Sequence, residues 1–198
     1  MKIAIFGGST THGKGDPKNG GWGNLLRQHY EGKNQRDTVF VLGIPGETTE
    51  GLKRRIKQEC EAREISGKDI ILIAAGTNDS REDKDGYKEI DEKTYRKNLS
   101  EIIEKAKEFT RNIIIVGPSK VDEDKTRPFK GLFYYNKSLH KYNEYMKELC
   151  QKINTPFINN ISHNPSLSDG LHPDKKEHKL RYEKIKNSIE RILDTPKT

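Results

Sequence analysis

Apolar residues in this chain follow two alternating patterns. The first is the continuous run: Ile3-Ala4-Ile5-Phe6, Val39-Phe40-Val41-Leu42, Ile70-Ile71-Leu72-Ile73-Ala74-Ala75 and Ile113-Ile114-Ile115-Val116. Short runs bounded by turn residues predict buried strands. They put strands at residues 2–6, 38–42, 69–75 and 112–116, and Pro156-Phe157-Ile158 predicts a short fifth. The second pattern recurs every three or four residues and predicts amphipathic helices. Its stripes are Trp22, Leu25, Leu26 and His29 or Tyr30; Leu52, Ile56 and Cys60; and Tyr95, Leu99, Ile102, Ile103, Ala106 and Phe109. Two more follow, Tyr135, Leu139, Tyr142, Met146 and Leu149, then Leu180, Ile185, Ile189 and Ile192 in a closing helix over 174–193.

Strand and helix alternate without an internal boundary, so one domain over residues 1–198 is expected. This alternation predicts a three-layer α/β/α sandwich around a five-stranded parallel sheet, flavodoxin-like in class. Right-handed crossovers make all strands point one way. The loops after their carboxyl ends then share one rim, which gathers Ser9, Gly46, Asn78, and the 159–173 loop with Asp169 and His172.

Composition changes this picture little. Of 198 residues, 31% are hydrophobic and 34% charged, yet the apolar ones are concentrated in runs, which argues against disorder. The net charge of +7 reads as a lysine-rich surface, or as attraction to anionic substrates or nucleic acid. There is no aromatic-interleaved basic stripe, zinc spacing or RNA-binding signature, so no nucleic-acid partner and no metal are expected. Cys60 and Cys150 fall on helical patterns near apolar positions and read as buried free thiols. No secretory segment opens the chain and no stretch is long and apolar enough to span a bilayer, so a cytoplasmic protein is expected.

The chemistry turns on Gly7-Gly8-Ser9-Thr10-Thr11-His12-Gly13 at the end of the first strand. A phosphate loop accounts for part of it, because Gly8 to Lys14 fits G-x-x-x-x-G-K. The pattern then fails: Gly15 stands where a metal-binding hydroxyl is needed. Gly15, Pro17, Gly20 and Gly21 also hold the chain in loop where a phosphate-facing helix would begin. Ser9 taken alone could simply bond the backbone of its own turn. The third reading is a nucleophilic serine, which needs an imidazole to take its proton and a carboxylate to orient that imidazole. Ser168-Asp169-Gly170-Leu171-His172-Pro173 supplies both in one short loop. Asp169 can meet Nδ1 of His172 across a tight turn, leaving Nε2 for Ser9. The Ser9 and Gly46 N–H groups and the Asn78 amide are candidate donors to an oxyanion.

At this point the chain resembles the SGNH hydrolases, also called GDSL-type esterases. Gly7 to Gly13 resembles the first block of that family, and Gly43-Ile44-Pro45-Gly46-Glu47-Thr48-Thr49 the second. Gly76-Thr77-Asn78-Asp79 resembles the third and Asp169-Gly170-Leu171-His172 the last, in order and each at a predicted strand end. The segments Gly20-Gly21-Trp22 and 117–123 are similar to those of a bacterial acylhydrolase branch. The resemblance implies a serine esterase or acylhydrolase that cleaves carboxylic esters through an acyl-enzyme. It gives Ser9, Asp169 and His172 as the triad, Ser9, Gly46 and Asn78 as the oxyanion hole, and no cofactor. The expected partner is a small-molecule ester, anionic or bearing an acyl chain; aryl ester, thioester, lysophospholipid and acetylated sugar remain open. The chain departs from the family at Gly8, where an Asp usually precedes the serine and would support the turn. The alternative is a non-catalytic α/β domain that binds a ligand or nucleic acid.

Other residues invite notice. His12 could line the pocket but reads as a surface histidine, and His29, His140, His163 and His178 have no partner pattern. Asp79 reads as a brace for the Asn78 turn. Trp22 reads as core or pocket wall. Phe129, Phe133, Tyr134 and Tyr135, at the end of a long charged loop, read equally as a lid or as an anchor.

Overall fold

A computed structural model of the chain describes residues 1–194. The elements are β1 (Lys2–Gly7), α1 (Ser9–His12), α2 (Gly21–Lys33), β2 (Thr38–Gly43), α3 (Thr49–Ala62), β3 (Ile70–Ala74), α4 (Glu92–Lys107), β4 (Ile113–Val116), α5 (Asn136–Lys152), β5 (Phe157–Ile158) and α6 (Lys175–Asp194). The five strands form one all-parallel sheet in the order β2-β1-β3-β4-β5.

The continuous apolar runs are explained by the layers. Alternate side chains of a strand point to opposite faces, and here both faces are covered. Ala4, Phe6, Ile71, Ile73, Ile113 and Ile115 pack under α3, α4 and α5, against Leu52, Ile56, Tyr95, Leu99, Tyr142 and Met146. Ile3, Ile5, Ile70, Leu72, Ile114 and Val116 pack on the other face under α2 and α6, against Trp22, Leu26, Tyr30, Ile185 and Ile189. Each fully buried aliphatic side chain contributes roughly 1.5–3 kcal/mol, so a one-residue slip of any inner strand is strongly disfavoured.

The strand order reverses between β1 and β3. Chain from β1 leads out to β2 on one side, and the sheet then grows through β3, β4 and β5 on the other. Open α/β sheets bind ligands in the crevice at such a switch point. Ser9 follows β1 and Asn78 follows β3, so the fold opens that crevice beside both.

Three details differ from the sequence pattern. The Ser9 turn is not loop but a single helical turn, closed by His12 N–H donating to the Gly8 carbonyl at 3.1 Å. Tyr135 sits at the N-cap of α5 instead of on its stripe. Leu180, expected on the inner stripe of α6, is 45% exposed. The buried line of that helix runs through His178, Arg181, Ile185 and Ile189; steps of three and four put Leu180 about 100° round the helix from Arg181. No helix among the described residues is long and apolar enough to cross a membrane.

Candidate active site

The serine turn is built by close packing. β1 runs straight into α1, and Gly7 at the join lies against β3. A Cβ there would stand 2.7 Å from the Ala74 carbonyl oxygen and 2.4 Å from Thr11 Oγ1. Only glycine lets the turn settle on the sheet at that distance. The chain after the turn is pinned by His178, which is fully buried on α6: its Nδ1 accepts from Trp22 N–H at 3.2 Å and its Nε2 donates to the Lys14 carbonyl at 2.9 Å.

The structure brings Ser9, His172 and Asp169 into line. His172 Nε2 lies 2.9 Å from Ser9 Oγ, across 163 positions of sequence. His172 Nδ1 lies 2.7 Å from Asp169 Oδ2. The other oxygen, Oδ1, accepts from the backbone N–H of His172 at 2.8 Å and of Leu171 at 3.0 Å. Partial burial pushes the Asp169 carboxyl up, but these bonds from His172 and Leu171 outweigh it and hold it below the usual Asp range. The carboxylate is therefore ionised and fixed, Nδ1 carries a proton for it, and Nε2 is free to accept one from Ser9.

Asn78 lines the pocket with Ser9, and Gly46 is not part of that lining. Asn78 Nδ2 donates to the Glu47 carbonyl at 2.8 Å. Glu47 is itself clamped by Arg55, whose Nε donates to Oε1 at 2.6 Å and whose Nη2 donates to the Leu42 carbonyl at 2.7 Å. Asp79 joins the two turns: buried, it accepts from Thr49 N–H at 2.8 Å and from Gly76 N–H at 3.3 Å. Burial pushes its carboxyl up from the ordinary Asp value, against these bonds. Gly46 stands exposed at the tip of the second turn with φ 82°.

Ser9, Asn78, Trp22, Pro118, Leu171 and Arg181 are among the residues around a pocket of about 30 Å³ of free space. That is room for one or two waters, or for the end of a short acyl group. Trp22 is thus both core and pocket wall.

The 119–135 loop is anchored. Val121 and Tyr134 form a small buried cluster with Leu139, Ile161 and Leu171. Asp122 N–H donates to the Gly170 carbonyl at 2.9 Å, and the Phe129 ring meets the His172 ring edge-on at 5.8 Å. The loop therefore supports the chain that carries Asp169 and His172. His12 is exposed.

Sequence reasoning missed the partners or the place of four side chains. His178 was given no partner, yet it ties α6 to the loop after Ser9. His163 meets Glu177 at 3.1 Å and His29 meets Tyr182 at 3.1 Å. Arg181, on the pocket wall, drew no attention; its signal was the helix phase set by Ile185 and Ile189, together with Glu177 four residues earlier.

Comparison with known proteins gives the family and the fold. The sequence profile of the GDSL-like lipase/acylhydrolase family matches residues 5–180. No curated protein sequence matches the chain significantly. Among solved structures, a lipase/acylhydrolase from Enterococcus faecalis is similar over 100% of this chain and 98% of its own, with a TM-score of 0.73 at 23% identity. A lipolytic protein of the G-D-S-L family from Veillonella parvula is similar over 94% of this chain and 97% of its own, with a TM-score of 0.73 at 20% identity. An acetylxylan esterase from Geobacillus stearothermophilus is similar over 95% and 93%, with a TM-score of 0.71 at 18% identity. Catalytic mutants of that enzyme carry alanine in place of a serine or a histidine. At such identities the likeness is one of fold.

Proposed function

The chain belongs to the GDSL-like lipase/acylhydrolase family and is a carboxylic ester hydrolase; we propose that it works as a serine esterase, through a covalent acyl-enzyme on Ser9. His172 Nε2 takes the Ser9 proton as Oγ adds to the ester carbonyl. Asp169 keeps the imidazole in the tautomer that can do this and steadies the imidazolium that results. The oxyanion is held by the N–H groups of Ser9 and Gly46 and by the Asn78 side chain. One Asn78 amide hydrogen is committed to the Glu47 carbonyl; the other is left for the oxyanion. The imidazolium then returns its proton to the departing alcohol. A water, deprotonated by the same Nε2, attacks the acyl-enzyme and frees the acid and Ser9.

The observation that carries this reading is the unbroken contact chain Ser9 Oγ to His172 Nε2 at 2.9 Å and His172 Nδ1 to Asp169 at 2.7 Å. A fold-bracing serine needs no imidazole oriented by a carboxylate. The small pocket favours a short acyl group, and an acetylxylan esterase among the similar folds fits that size. Cys60 and Cys150 are buried free thiols, which suits a reducing compartment such as the cytoplasm.

The test is hydrolysis of p-nitrophenyl acetate by wild type and by Ser9→Ala. The variant should lose most of the rate, keeping only what binding and the oxyanion hole supply. In parallel, a fluorophosphonate should add its mass to Ser9 of the wild type, read by peptide mass spectrometry. Near-normal turnover by Ser9→Ala, or labelling elsewhere with Ser9 untouched, would refute the assignment.

A further inference from the structure

Arg181 is a charged side chain in the pocket wall that the chemistry at Ser9 does not use. It is 4% exposed, on the inner line of α6. Burying a guanidinium is costly unless its donors are met. Here Nε reaches Glu177 Oε1 at 3.4 Å and Nη2 donates to Ser119 Oγ at 2.7 Å. Nη1 has no partner among the described residues. The contact with Glu177 is a single long bond, not the parallel pair that guanidinium and carboxylate make when they satisfy each other. Glu177 is also shared: both its oxygens lie 3.1–3.2 Å from His163 Nε2, and neither residue lines the pocket. Arg181 lines the pocket with Ser9, and Glu177 does not. The pair thus turns its cation toward the substrate and its anion toward His163.

Resting on the esterase reading above, we propose that Arg181 selects the acid half of the substrate: it binds a carboxylate a few atoms beyond the scissile carbonyl, so that half-esters of short dicarboxylic acids are preferred over neutral acyl esters of equal size. A carboxylate in the pocket completes the fork that Glu177 leaves half filled. In a narrow, partly dry pocket a charge-assisted bond of this kind separates charged from neutral ligands strongly. The short reach suits a small acid and excludes long acyl chains.

The experiment compares monoethyl malonate with ethyl isovalerate, which has the same shape but two methyl groups in place of the carboxylate oxygens. Ethanol release gives kcat/KM for each, and p-nitrophenyl acetate is run beside them. Wild type should favour the malonate half-ester by roughly tenfold or more. Arg181→Met, checked for folding by its thermal midpoint, should bring the ratio to about one or below. Glu177→Gln, which leaves the guanidinium less neutralised, should raise the ratio several-fold. If Arg181→Met does not fold, the Glu177→Gln arm decides: a raised ratio supports the assignment and an unchanged one overturns it. A wild type that cleaves p-nitrophenyl acetate but shows no preference for the charged ester overturns the role of Arg181 alone. A wild type that cleaves no ester at all overturns the esterase reading and this one with it.

Discussion

Asn78→Ala removes one amide with two jobs of different kind, and kinetics can separate them. Its Nδ2 donates one hydrogen to the Glu47 carbonyl at 2.8 Å, while the proposed mechanism uses the other for the oxyanion. The ester carbonyl is a weak acceptor in the ground state and becomes an alkoxide in the transition state, so the second bond tightens as the reaction proceeds. Losing one such donor lowers kcat by about 10²–10³ and leaves KM nearly unchanged. The first bond matters to folding instead. The Glu47 carbonyl loses a partner at a position that water can reach, which costs about 1 kcal/mol. In a chain of this size that lowers Tm by roughly 2–4 °C. The assay is kcat, KM and Tm on one preparation of each protein, with p-nitrophenyl acetate as substrate. A kcat within about threefold of wild type, under about 1 kcal/mol of barrier, would refute the role of Asn78 in the oxyanion hole. A collapsed Tm with normal kcat in the folded fraction would assign Asn78 to structure.

Two further outcomes follow from the same geometry. A Cβ on Gly8 would stand 2.9 Å from Asn78 Nδ2, so Gly8→Ala should push the amide off its place, lowering kcat by about tenfold or more while Tm changes little. Equal losses in kcat and Tm would show that the turn itself had broken. On the stability side, burial pulls His178 and His29 below the ordinary value of 6.5. The unfolded chain then takes up protons near that value while the native state resists, so stability is full above about pH 6.5 and is lost as pH falls toward the lowered native values; Tm should drop between about pH 7 and 5, less so in His178→Gln, and a flat Tm in wild type would contradict this.

Much of the fold could be read because the runs and the stripes each obey a simple period. Ile70 to Ile73 could only be a strand covered on both faces, and it is. Two of the three places where the pattern misled have local causes that can be named. Leu180 is hydrophobic, and counting it as core put the stripe of α6 one residue out of phase; the charged Arg181 occupies the inner line instead. α1 is a single turn of Ser-Thr-Thr-His, with no apolar period to betray it. Its helical form comes from the backbone bond between His12 and Gly8 and from packing against β2 and α2, neither of which has a signature in a four-residue string.

The candidate site was legible in the groups proposed to react and illegible in what holds them. Ser9, Asn78, Asp169 and His172 belong to short motifs, because each turn needs particular residues side by side in sequence. Asp169 and His172 in particular are three residues apart and bond each other directly. The supports join turns that lie far apart in the chain. Asp79 reaches Thr49, Asp122 reaches Gly170, and His178 reaches Lys14 and Trp22. No spacing rule pairs such residues, since topology alone makes them neighbours. Yet a rate that depends on about 3 Å contacts between separate loops depends on those cross-links as much as on the triad, because a shift of about 1 Å can cost a hundredfold. The missing Asp at position 8 fits the same logic. The turn that carries Ser9 is steadied through His178 from the opposite helix and by close contact at Gly7, so it does not need a carboxylate of its own, and Gly8 keeps clear the space into which the Asn78 amide projects.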